Sequence, residues 1–220
     1  MLLDLLLPRR CVACRALGAS LCARCRAVLP WLAGPRCARC GAPTAWPVDR
    51  CLECSGRRLA FASARAAVAY RGPVRAFVSA WKERGIRALA AEAADVIANT
   101  VERPSVELLT FIPPNSDRSF KRGHHPAERL ARALGRQWEL PVVELLVRTR
   151  APRPQRGLTI AERRRNVAGA FAAAARIGGP MGLVDDVYTT GSTASAAASA
   201  LRRGGARRVE VVTFARTVRD

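Results

Sequence analysis

Lysine is nearly missing from this chain: of 37 Lys+Arg residues, only Lys82 and Lys121 are lysine. Acids are scarce as well, 17 against those 37 cations, which leaves a formal net charge of +20. A uniform arginine bias is first a mark of GC-rich coding, so the charge alone points only weakly to polyanion partners. Aromatic residues make up 5% of the chain, few for a surface that stacks bases; Trp31 and Trp46 are the candidates for that role. No apolar run approaches the ~20 residues a helix needs to cross a bilayer. The opening MLLDLLLPRR carries Asp4 inside a short apolar stretch and has no basic region before it, unlike a secretion signal. These absences predict a cytoplasmic protein with no membrane span. With 50% apolar residues over 220 positions, wholesale disorder is excluded, and there is room for one medium domain plus a small module.

Cysteine is present, but only at one end. All 8 cysteines fall between Cys11 and Cys54, as the Cys-x-x-Cys pairs Cys11/Cys14, Cys22/Cys25, Cys37/Cys40 and Cys51/Cys54. Two intervening residues let both thiolates of a knuckle turn toward one ion, and tetrahedral zinc takes four such ligands. The pattern predicts two structural Zn2+ sites. Disulfides are the competing reading, disfavoured by a reducing compartment. A redox Cys-x-x-Cys does not normally recur in this way or outside a βαβ setting. Sequential pairing would give two consecutive ribbons, whereas interleaved pairing would give a cross-brace; the short intervening loops favour the ribbons. Residues 26–36, with Pro30 and Pro35, read as a spacer between them. So small an apolar content predicts that the segment needs metal to fold.

The run from Met181 to Thr193, MGLVDDVYTTGST, carries the other strong pattern. An apolar stretch meets adjacent carboxylates, then a hydroxyl- and glycine-rich turn, then an alanine-rich helical segment from Ala194 to Leu201. This is strand, loop, helix, and the loop's N–H groups together with the helix N-terminus suit a phosphate. Thr189, Thr190, Ser192 and Thr193 add hydroxyls, and Gly191 permits close backbone approach. Asp185 and Asp186 fall at the strand's carboxyl end, where they can accept from ribose hydroxyls, directly or through hydrated Mg2+. A solvated acidic turn with a Ser/Thr cap explains the cap but not the full set.

Between these landmarks, residues 107–112 read as a strand stopped by Pro113 and Pro114. A basic loop with Arg118, Lys121 and Arg122 follows, then a helix over 126–140 with Leu130, Leu134 and Trp138 on one face, then a strand over 141–147. Residues 148–165 hold seven arginines, Arg156 among them, and one acid, Glu162; such a loop can close over pyrophosphate, grip a nucleic acid or simply be solvated. Val209–Phe214 reads as the last strand, and residues 59–100 as a mostly helical connector in which Phe77, Trp81 and Lys82 stand out. The only histidines, His124 and His125, read as surface-loop residues with no orienting carboxylate close in sequence.

The Met181–Thr193 run resembles the phosphoribosyl-pyrophosphate (PRPP) signature of type I phosphoribosyltransferases. Four knuckles followed in order by Tyr70-Arg-Gly-Pro-Val-Arg, Trp81-Lys-Glu-Arg-Gly, Arg118-Ser-Phe-Lys-Arg-Gly, Gln155-Arg-Gly-Leu and Asn166-Val-Ala-Gly-Ala-Phe look like the ComF family of competence-associated proteins; the chain departs from that pattern at Arg122-Gly-His-His-Pro126. The resemblance implies an α/β fold, a type I phosphoribosyltransferase-like parallel sheet flanked by helices, over residues 106–220. It implies an N-terminal double zinc-ribbon module over 1–58 and a connector or hood over 59–105. It places PRPP or a related phosphoribosyl compound, with Mg2+, at Asp185, Asp186 and Thr189–Thr193, and pyrophosphate at Arg118, Lys121, Arg122 and Arg156. It also implies single-stranded DNA and a DNA-uptake helicase or other competence protein as partners. Three readings remain open at this level: a PRPP-dependent transferase, for which no acceptor site is evident, a DNA-handling protein that keeps the pocket without turnover, and a protein whose ribbons only dock a partner.

Overall fold

The computed structural model describes residues 9–114, 125–150, 167 and 169–218. Strand β1 is Ser63–Ala69, β2 Leu108–Phe111, β3 Leu146–Arg148, β4 Phe171–Ala173, β5 Pro180–Tyr188 and β6 Arg208–Arg216. Helix α1 is Ala23–Ala27, α2 Pro73–Lys82, α3 Leu89–Ala98, α4 Pro126–Trp138 and α5 Ser192–Arg203. The main sheet is parallel in the order β1-β6-β5-β2, and β3-β4 form a separate antiparallel pair. The two central strands read as near-continuous apolar runs because both of their faces are covered, the usual mark of a parallel sheet.

One face carries α2, α3 and α4, where Phe77, Trp81, Leu130, Leu134 and Phe214 are fully buried. Phe77 stacks on Phe214 at 4.7 Å, with Trp81 edge-on at 6.3 Å. The other face carries α5 and the β3-β4 pair, around Met181, Leu183, Ala197 and Leu201. The expected helix over 126–140 and the strand over 107–112 form with slightly tighter bounds. Of the strand expected over 141–147, residues 141–143 bond to Leu109 at the edge of β2 and only 146–148 form a named strand. The connector is not purely helical. Its SARAAVA run alternates partly buried and buried positions over 63–66, is buried from 66 to 69, and becomes edge strand β1, paired to β6.

The ribbons straddle that edge. Cys11, Val12, Leu21 and Cys25 join the apolar cluster of α2–α4, whereas Cys37, Cys40, Ala42 and Cys54 join that of α5. The spacer between them runs antiparallel along β1: Leu32 N–H donates to Ala67 O at 2.9 Å and Ala69 N–H to Pro30 O at 2.8 Å. It thereby covers backbone groups that an open edge would leave available to another chain. Gly41, at φ +69, faces the Ala64 carbonyl at a spacing that leaves no room for a Cβ, so the second ribbon can lie flat on β1.

Candidate functional site

In each ribbon four sulfurs converge, Cys11, Cys14, Cys22 and Cys25 in the first and Cys37, Cys40, Cys51 and Cys54 in the second, all within 4.8 Å of one another. The pairing is sequential. Sulfur separations are 3.6 Å for Cys14–Cys22 and Cys37–Cys54, 3.5 Å for Cys40–Cys51 and 3.9 Å for Cys51–Cys54. A tetrahedron with zinc–sulfur bonds of about 2.3 Å has edges of about 3.8 Å, whereas a disulfide needs about 2.05 Å. Backbone amides serve the sulfurs: Cys22 N–H donates to Cys11 Sγ at 3.5 Å, and Cys40 and Cys51 N–H to Cys37 Sγ at 3.5 and 3.4 Å. Burial opposes ionisation of Cys11 and Cys37, but these N–H groups outweigh it and bring both thiols down to about 6. The two sites fit two structural zinc ions.

The second cluster lies at the carboxyl end of the sheet. Asp185 and Asp186 stand within β5, which continues to Tyr188 before the 189–191 turn opens α5. Neighbouring residues of a strand point to opposite faces, and the two acids have different partners. Asp186, 8% exposed, binds Lys82 Nζ at 2.6 Å from the end of α2. Asp185 Oδ1 accepts the Asp186 N–H at 2.9 Å, and its charge favours the Arg148 guanidinium against burial. Burial, with Asp186 beside it, pushes the Asp185 carboxyl up to about 7 although Lys82 pulls the other way. Arg148 is aimed by the Pro113 and Pro114 carbonyls at 3.1 and 3.0 Å and lies over the Phe171 ring at 4.5 Å.

The turn is held from both sides. Thr190 and Ser192 share a hydroxyl hydrogen bond of 2.9 Å. Arg57, just beyond the last zinc ligand, donates to Thr190 O at 2.6 Å. Gly191 sits at φ +71 with the Tyr188 hydroxyl where a Cβ would go, so any other residue there meets both strain and overlap. Thr189 is exposed, and Thr193 is part-buried in the first turn of α5.

Arg118, Lys121, Arg122, His124 and Arg156 lie outside the described residues. His125 is not a surface-loop residue: it precedes α4, packs edge-on against Phe111 at 5.2 Å and contacts Ile112 O at 3.1 Å. It also has the carboxylate that was expected to be missing, Glu128, at 3.5 Å one helical turn on. Burial nevertheless lowers its pKa. Lys82 is the residue whose role the sequence left open, and its signal was there. A lysine at such a place is a compact point charge suited to a single carboxylate, in a chain whose other cations are, but for Lys121, all arginine.

Asp185 gives a pH test. A carboxyl raised in the folded state keeps a proton that the unfolded chain has already released, so stability falls as pH rises from about 4 to about 7 and stays lowered above that. Asp185→Asn should therefore melt higher than the parent at about pH 8, with the gap narrowing below about pH 7 and closing toward about pH 4. Parallel melting curves across that range would show that the carboxyl is not raised.

Two four-thiolate centres on a helix-flanked parallel sheet define a double-zinc-ribbon α/β protein. Residues 2–57 match the Double zinc ribbon domain family. Competence protein F of Haemophilus influenzae is 26% identical over 94% of this chain and 96% of its own. DNA utilization protein YhgH of Salmonella typhimurium is 30% identical over 83% of this chain and 84% of its own. Among solved structures, TT1426 from Thermus thermophilus aligns at 19% identity over 61% of this chain and 84% of that one, with a TM-score of 0.34, too loose a likeness to build on. The chain belongs to the ComF family, with competence protein F and YhgH. Among the described residues no helix is long and apolar enough to cross a membrane.

Proposed function

We propose that this is a DNA-handling protein, acting in the cytoplasm on single strands taken up during natural transformation or DNA utilisation. The observation that carries this reading is the end-to-end similarity to Competence protein F, supported by that to DNA utilization protein YhgH. A net charge of +20 suits a polyanion partner, and the ribbons offer docking surfaces for a DNA-uptake helicase or another competence protein. Fluorescence anisotropy with a labelled homothymidine strand tests it. Binding should weaken steeply with salt, because each neutralised phosphate releases counterions. No binding at low salt, or a flat salt response, would defeat it.

The carboxyl end of the sheet favours a second component, a PRPP-type pocket. Asp185 and Asp186 would hold the ribose hydroxyls and Thr189–Thr193 the 5′-phosphate. Arg118, Lys121, Arg122 and Arg156 would meet the pyrophosphate. The acids are hard oxygen donors, so a hydrated Mg2+ accompanying PRPP would fit Asp185, whose charged form burial and the neighbouring Asp186 disfavour in the free protein. The pocket serves as a ligand sensor or as a transferase site; pyrophosphate release with nitrogenous acceptors separates the two. PRPP with Mg2+ should raise the melting temperature, and Asp185→Asn/Asp186→Asn should abolish the rise. An unchanged melt in the parent would remove the pocket reading and leave the DNA reading standing.

A further inference from the structure

We propose that single-stranded DNA is held in an arginine-lined groove at the amino end of the sheet, between the second ribbon and the starts of β1, β5 and β6, away from the Asp185–Thr193 turn. This rests on the DNA-handling reading and gives it a place that no sequence motif marks. A cleft of about 1030 Å3 opens there, with Ser63, Pro180 and Arg208 at the strand starts, Arg36 to Arg50 of the ribbon on one wall and residues 100–105 on the other. A second cleft of about 610 Å3 shares Arg39, Ala62 and Arg208 with it and extends along α5 past Arg202, Arg203 and Arg207. Nine arginines line the two, against the carboxylates Asp49, Glu102 and Glu210.

Their partners mark this groove as built for an anion. Arg39 donates to Leu59 O at 2.6 Å, Arg65 to Ala38 O and Ala64 O at 2.9 Å, and Arg103 to Trp138 O at 2.8 Å. On α5, Arg203 donates to the Ser199 hydroxyl at 2.8 Å and Arg202 to the Ala206 carbonyl at 3.0 Å. Neutral acceptors fix a guanidinium in direction and cancel none of its charge. Among the described residues only Arg207 and Arg208, of the nine, reach a carboxylate, Glu107 at 3.7 Å and Glu210 at 2.8 Å. Burial and the neighbouring Arg36 disfavour the charge on Arg65, with Glu210 opposing them.

The shape selects a polymer. Small-ligand pockets run to about 1,000 Å3, and here two clefts join end to end with charge along both. The one aromatic lining residue, Phe61, is 0% exposed, so contact is made to the phosphate backbone without base stacking inside the groove. Trp46, 69% exposed, is not among the lining residues but belongs to the same ribbon loop as Arg50. Sequence-independent binding follows.

The test compares the parent with Arg36→Gln/Arg50→Gln/Arg103→Gln, and with Arg24→Gln/Arg75→Gln/Arg84→Gln, exposed arginines outside both clefts that remove the same charge. Zinc content and melting temperature confirm that each variant is folded. Binding of a labelled homothymidine strand is followed from about 50 to about 200 mM salt. The groove variant should bind at least tenfold more weakly at low salt, and its log–log salt slope should fall by about 2, at roughly 0.7 per lost phosphate contact. The control variant should lose far less of both. Equal losses in the two variants, or a preference for duplex over single strand, would overturn the groove while leaving DNA handling intact. No binding by the parent would overturn both.

Discussion

Stripping zinc from the second ribbon is expected to unfold the whole chain, not merely its first quarter. Cys37, Cys40 and Cys54, at 0%, 3% and 0% exposed, lie in the same apolar cluster as Met181, Leu183 and Tyr188, so the ribbon is part of the cover of the sheet. Without metal the four sulfurs have no reason to stay together. Burial, with Cys37 next to it, pushes the Cys54 thiol up to about 11, and burial likewise raises Cys40, while amides hold Cys37 near 6. Zinc resolves that mismatch by taking all four as thiolates, and structural sites of this type bind with about 10–16 kcal/mol. A domain's whole stability is about 5–15 kcal/mol, so the loss cannot be absorbed locally. Cys40→Ser, or excess chelator, should abolish the cooperative melt and with it the helical signal of α5. Elemental analysis of the parent should give two zinc ions per chain. A chelated protein that kept a cooperative transition of the sheet would show the ribbons to be independent appendages.

How much of this was legible in the residues depends on how local each signal was. Knuckle spacing is set by two-residue turns, so the four Cys-x-x-Cys pairs could be read directly, whereas their sequential pairing was only favoured over a cross-brace until the sulfurs were seen to converge. The β5–α5 turn was equally readable, since Gly191 and its hydroxyl neighbours act through their own backbone. Signals that depend on tertiary packing were not. Residues 63–69 look as suited to a helix as to a strand, being rich in alanine, and only pairing with β6 decides for β1. His125 reads as exposed until Phe111 and Ile112 are packed around it. The groove at the amino end of the sheet has no motif at all. Its arginines come from the ribbon, β1, the segment after α3 and the α5–β6 corner, and in a chain this rich in arginine their convergence leaves no trace in the sequence.

Arg216→Met should be the most damaging single change outside the cysteines. The guanidinium ends β6 at 1% exposure and joins three parts of the molecule. It donates to the Cys40 carbonyl at 2.5 Å and to Glu53 Oε2 at 3.0 Å, both in the second ribbon, and lies over the Tyr188 ring at 5.1 Å. Methionine fills much of the same volume but leaves the Cys40 carbonyl without its donor and Glu53 without its counter-charge. Breaking a buried pair from the more buried side costs about 3–5 kcal/mol, on the order of 10 °C in a chain of this size. Glu53→Gln should cost much less, because that carboxylate is 24% exposed and Arg216 keeps its other two contacts. The double variant should recover part of the loss, the Glu53 charge having been removed. The damage should also travel. Tyr188 fills the space beside Gly191, and Arg57 of the same ribbon holds Thr190 O at 2.6 Å, so the ribbon sets the turn from two sides. Arg216→Met should therefore reduce any PRPP-dependent rise in melting temperature, whereas an equally destabilising core change such as Leu130→Ala, under the opposite face, should leave that rise intact. Equal effects of the two would mean that the ribbon stabilises the fold without positioning the turn.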